Sequence, residues 1–109
     1  MQIKTNELTR TALDWTVAVA EGHDMEFFQV VDAFMPSIDW QEGGPIIERE
    51  WLDVTPWPNE SDEDFRWQCK QHDSIECVAF GPTPLIAAMR CYVASMMGEE
   101  VEVPHELVA

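Results

Sequence analysis

The stretch GPTPLIAAMRCYVASMMG, Gly81 to Gly98, reads as one helix with both ends marked. Thr83 is placed to turn its hydroxyl back onto a free backbone N–H of the first turn, and Pro84 at the first helical position fixes φ without removing a bond the helix would have made. Gly98 supplies the left-handed stop. Leu85, Ile86, Met89, Val93 and Met96 recur at helical spacing, Ala87, Ala88 and Ala94 fill other faces, and only Arg90 and Ser95 are plainly polar. Such a helix is mostly buried. At roughly 1.5–3 kcal/mol per large apolar side chain removed from water, it is expected to make the largest single contribution to the core.

The flanking segments are read as its cover. Thr9 is an N-cap candidate, with Leu8 and Leu13 spaced to staple the entry of a helix that Gly22 closes. Leu13, Val17 and Ala20 give that helix an apolar stripe to lay on the Pro84 helix, with Asp14 and Glu21 predicted to face water. FFQVVDAF, Phe27 to Phe34, suits a strand, and Pro36-Ser37 breaks it. Ile38 to Gly44 reads as a loop, followed by a short helical turn opened by Pro45. Strands are predicted over Trp51 to Thr55, Phe65 to Lys70 and Ile75 to Phe80, with NESDED, Asn59 to Asp64, as a solvated hairpin loop. The tail from Val101 is extended and then makes one helical turn. This order predicts an α+β fold: one domain, residues 1–109, with a small antiparallel sheet packed against two main helices.

Composition narrows the function. Of 109 residues, 46% are hydrophobic, so the chain is globular, and 21 acidic against six basic residues give a formal charge of -15. A surface of that sign repels phosphates, which argues against direct nucleic-acid binding. It suits solubility or, alternatively, an acidic mimic that occupies a basic groove on another protein. Cys69, Cys77 and Cys91 are an odd number without zinc-ligand spacing, so reduced thiols in the cytosol are expected. The start MQIKTNELTR lacks the apolar run of a signal peptide, and no stretch approaches the length of a membrane span.

No linear motif assigns catalysis. His23-Asp24 and His72-Asp73 repeat the dipeptide of a metal phosphohydrolase signature, but the further ligands are missing and both suit polar turns. There is no nucleophile elbow and no P-loop, NESDED lacks the spacing of a calcium loop, and neither catalytic residues nor cofactor nor metal is expected. The stretch Asp39 to Arg49 is more informative. Gly43 and Gly44 before a helical turn would leave backbone N–H groups free for an anion, Arg49 lies one turn on, and Trp40 offers a face for a base. Trp40, Gly43, Gly44 and Arg49 are therefore the candidate ligand-binding residues for a small nucleotide-type ligand. Alternatively, the glycines make a tight turn, Trp40 plugs a sheet edge and Arg49 pairs with an acidic neighbour. The apolar content exceeds what one small sheet and two helices cover, so a homodimer is expected.

PSIDWQEGGPIIERE, Pro36 to Glu50, resembles the phage NinX-like family of small proteins encoded by tailed phages and prophages. ELTRTALDWTVAVAEG, Glu7 to Gly22, and GPTPLIAAMRCYVASMMGEEVEVPHEL, Gly81 to Leu107, resemble it as well, while Trp51 to Phe80 agrees less. The resemblance implies a phage accessory protein at work in the host cytoplasm. It transfers no catalytic residues, because the family has no established activity. Two mechanisms follow for such a counter-defence protein: sequestration of a nucleotide-type ligand, or inhibition of a host protein through the acidic surface.

Overall fold

The computed structural model describes residues 1–23, 34–58, 62–71 and 74–107, with the backbone alone at 74–77. Its centre is the helix expected from the capping pattern, Pro84–Met97. Thr83 Oγ1 accepts the Ile86 N–H at 3.1 Å, and Gly98 leaves the helix at φ +93°. Burial runs without a break from Ala87 to Val93, all the way round the helix. The reason is its position: the helix packs against all three strands of one sheet and also against two other helices. The expected apolar stripe ends at Val93, since Met96 in the last turn is exposed.

The other helices are α1, Arg10–Ala20, and α2, Trp40–Glu50, which makes the central helix α3. Strand β1 is Gln2–Lys4, β2 Leu52–Pro56, β3 Trp67–Gln71, β4 Ser74–Gly81 and β5 Glu100–Glu102. Strands β2, β3 and β4 form an antiparallel sheet in sequence order, and β1 pairs antiparallel with β5 in a separate ribbon. In the sheet, Val54, Cys69 and Ala79 lie side by side in register and pack in the core with α3. Pro56 is accommodated because β2 is an edge strand, where a missing N–H costs no ladder bond. The architecture is α+β, with three α-helices and two small antiparallel sheets among the described residues.

Three local expectations are corrected. Ile38 to Gly44 is not a loop: a turn over 36–38 leads into α2, which begins at Trp40 and runs through both glycines and Pro45. Asp14 does not face water but is buried, and its carboxylate accepts the Ser37 N–H at 2.9 Å. Glu21 is drawn inward into an ion pair. Thr9 sits at the N-cap of α1 without a side-chain cap bond. The strand expected over Phe27 to Phe34 falls, apart from Phe34, outside the described residues.

Arg90 is the one basic side chain buried among the described residues, 2% exposed. Its Nε donates to the Leu8 carbonyl at 2.9 Å and one terminal nitrogen to the Phe80 carbonyl at 2.8 Å. The guanidinium thereby bridges the approach to α1 and the end of β4 from the middle of α3. Burial pulls its pKa below the usual arginine value. Each orphaned buried carbonyl costs about 1–3 kcal/mol, partly offset here by release of the buried charge. Arg90→Met, which keeps an unbranched stem, should destabilise the fold by about 1–3 kcal/mol in urea unfolding.

Candidate functional site

The segment from Met35 to Glu50 carries the predicted site, and its local order is set by carboxylates. Asp39 N-caps α2, its side chain accepting the Gln41 N–H at 2.9 Å. Glu42 in the first turn reaches back to the Met35 N–H at 3.0 Å. With Asp14 on Ser37, three carboxylates each hold one backbone N–H of the 35–41 segment. Anions are ordinarily drawn to helix N-termini, and here the protein's own side chains occupy that role.

Both glycines have structural duties in α2. The Gly43 N–H is not free: it donates to the Asp39 carbonyl at 2.9 Å. A Cβ on Gly43 would stand 2.5 Å from the Pro36 carbonyl oxygen and 2.7 Å from Leu85 Cδ2, so only glycine lets α2 approach the turn and α3 this closely. Gly44 faces open space, with nothing within 4 Å of an added Cβ. Its value lies in preceding Pro45, because the clash that keeps a pre-proline residue out of the helical region is reduced without a Cβ. Pro45 itself removes the N–H that would have bonded the Gln41 carbonyl.

Trp40 is the first residue of α2 and is 57% exposed. Arg49 lies in the last turn, about 13 Å farther along the helix axis, so the structure does not bring the two together. Arg49 is held bidentately by Glu21 at 3.0 and 2.7 Å, and its Nε donates to Glu50 at 2.8 Å. The Tyr92 hydroxyl donates to the same Glu21 carboxylate in a short bond, with the Arg49 guanidinium 5.8 Å from the tyrosine ring. This cluster ties α1, α2 and α3 together, and no linear spacing announced it. The alternative reading, in which Arg49 pairs with an acidic neighbour, anticipated part of it, since Glu50 is one of the two carboxylates; Glu21 and Tyr92 were not foreseen.

The hydrogen bonds from Arg49 lower the Glu21 pKa against the opposing effect of burial, with Tyr92 adding to the lowering. Burial, then Glu21, raises Tyr92 and keeps it neutral. The Cys69 thiol, hydrogen-bonded to Cys91 and buried, is held protonated, and both are free cysteines. The His23 ring meets that of Phe34 at a tilt, centroids 4.4 Å apart, Trp57 meets Phe80 edge-on at 5.8 Å, and Trp67 packs partly buried on the core. His72 and Asp73 lie outside the described residues. Among the described residues there is no group of three His, Cys, Asp or Glu side chains placed to hold a metal ion, and no helix is long and apolar enough to cross a membrane.

Comparison with protein families agrees with the resemblance carried by the three sequence blocks: the family described as Bacteriophage P22, NinX matches residues 4–96. The chain belongs to the phage NinX family. The match spans α1, α2, the three-stranded sheet and nearly all of α3, so the N-caps Asp39 and Thr83, the pre-proline glycine and the Arg49 clamp lie within the NinX region, while the Gly98 cap lies beyond it. No curated protein matches the chain.

Two outcomes follow from this geometry. Pro45→Ala should raise stability by about 1–3 kcal/mol by restoring a donor to the Gln41 carbonyl, while Gly44→Val should lower it by crowding the proline ring; thermal unfolding decides both. Glu21 has a depressed folded pKa, so its contribution is fully present above its ordinary value near 4.5 and is lost as the pH falls through the folded value. Stability measured across that window should fall more steeply in the parent chain than in Glu21→Gln.

Proposed function

We propose that this phage accessory protein works without catalysis, by occupying a basic surface on a protein of the bacterial host. The observation that carries this reading is the distribution of charge. The formal charge is -15, and of the few basic side chains Arg49, Arg66 and Lys70 already face carboxylates while Arg90 is buried. What is left to project outward is overwhelmingly carboxylate. A field of that sign speeds encounter with a positively charged surface and repels nucleic acid. Host enzymes that act on nucleic acid carry such basic surfaces, and occupying one fits a counter-defence role.

The sequestration reading has one observation in its favour, the exposed face of Trp40. Against it stand the Gly43 N–H, spent on the Asp39 carbonyl, and Arg49, already neutralised by Glu21 and Glu50. A phosphate bound by Trp40, Gly43, Gly44 and Arg49 would have to compete with carboxylates at both ends of α2.

The two readings part in one pair of experiments. The chain is immobilised and challenged with host-cell extract at rising salt, and separately titrated by calorimetry with cyclic and ADP-ribose-type nucleotides while hydrolysis is followed. The expected result is a host protein retained at low salt and released as salt screens the carboxylates, with no heat from any nucleotide. Nucleotide heat lost in both Trp40→Ala and Arg49→Ala would establish sequestration instead, and turnover would make the protein an enzyme.

A further inference from the structure

Two large apolar side chains are exposed together where the turn before α2 meets the first turn of α3. Ile38 is 67% exposed and Trp40 57% exposed, two positions apart in sequence, and between them and α3 lies a notch of about 210 Å³. Ser37, Ile38, Trp40, Thr83, Pro84 and Leu85 line it. Single exposed apolar residues are ordinary, but a paired isoleucine and tryptophan beside an apolar notch are not.

The backbone of this surface is fastened at several points. Asp14 holds the Ser37 N–H from below, Asp39 caps the helix at Gln41, and Glu42 fixes the Met35 N–H. The close approach of Gly43 to Pro36 and Leu85 sets the notch wall. An apolar pair held this way loses little conformational freedom on binding, which is the circumstance in which a tryptophan contributes most to affinity.

Charge selects the occupant. The two segments that build the notch, residues 34–48 and 81–89, contain no lysine or arginine, whereas Asp39 and Glu42 flank Trp40. A second copy of a chain with formal charge -15 would bring like charges to that rim, and a basic partner would bring opposite ones. We infer that Ile38, Trp40 and the notch beside Pro84 and Leu85 form the docking surface for a basic protein segment that inserts one large apolar side chain between flanking lysines or arginines. This rests on the protein-binding reading above and assigns that reading a place on the molecule.

The test selects a random displayed-peptide library on the full chain, then titrates the enriched peptides in synthetic form. The enriched peptides should carry Lys or Arg around a large apolar residue. They should bind Trp40→Ala and Ile38→Ala about tenfold or more weakly, and Met96→Ala, exposed about 18 Å away along α3, unchanged. Asp39→Asn with Glu42→Gln keeps both backbone acceptors while removing two charges, and should flatten the salt dependence. Circular dichroism and melting of each variant confirm that the fold is intact. Failure of the selection, enriched peptides without basic residues, or equal binding to Trp40→Ala and Ile38→Ala would overturn the proposal. So would sedimentation showing a dimer that Ile38→Asp dissolves, since the occupant would then be a second copy. If a host protein from the extract binds the chain and ignores Trp40→Ala and Ile38→Ala, this surface falls while the occupation of a basic host surface stands.

Discussion

The side chain of Arg90 imposes a demand that the fold must meet around it. A guanidinium cannot shed its charge under ordinary conditions, so burying one in the middle of α3 requires acceptors to be brought to it. The acceptors are the carbonyls of Leu8 and Phe80, the one just ahead of α1 and the other at the end of β4. Leu8 can present its carbonyl only if α1 enters at the right place, and Phe80 only if the sheet is in register beneath α3. Meeting that demand correctly positions both layers against the central helix. A hydrophobic residue there would pack as well and specify less.

Helix α2 shows how a locally poor sequence is kept helical. Gly-Gly-Pro would argue for a turn in isolation, since glycine and proline are the two worst interior helix formers. Here Gly43 is required by the approach to Pro36 and Leu85, Gly44 relieves the proline, and the ends are fastened by Asp39 at one side and by the Glu21–Arg49 pair at the other. Tertiary contacts thus outweigh propensity, and the same contacts leave Trp40 outside.

What could be read from sequence followed the range of the interactions involved. The central helix was legible because Thr83, Pro84 and Gly98 act on their own neighbours. Strands β2 and β3 were legible from alternation and β4 from its run of strand-favouring residues, within a residue or two at their ends. Asp14 was read as solvated because its partner, the Ser37 N–H, lies 23 residues away. Strand β1 went unread because Gln2–Lys4 is extended only by virtue of pairing with Glu100–Glu102. For the candidate site, Trp40 lies exposed at the start of α2 and plugs no sheet edge, whereas the spacing to Arg49 misled: nine residues are close in a loop and far apart along a helix. That Arg49 pairs with an acidic neighbour was legible as the alternative reading, but which carboxylates take the arginine and the helix start was not, in so acidic a chain.

The pairing of β1 with β5 also sets an order of events in synthesis. Gln2, Ile3 and Lys4 find their partners only at Glu102, Val101 and Glu100, and Thr5 donates to the Glu99 carbonyl and, through its hydroxyl, to that of Gly98. Strand β1 must therefore wait during synthesis, with its backbone groups hydrated, until residue 102 has emerged. Leu8 likewise waits for Arg90. Closure of this protein is a late, long-range event, and a nascent chain stalled before residue 90 lacks the means to complete its core.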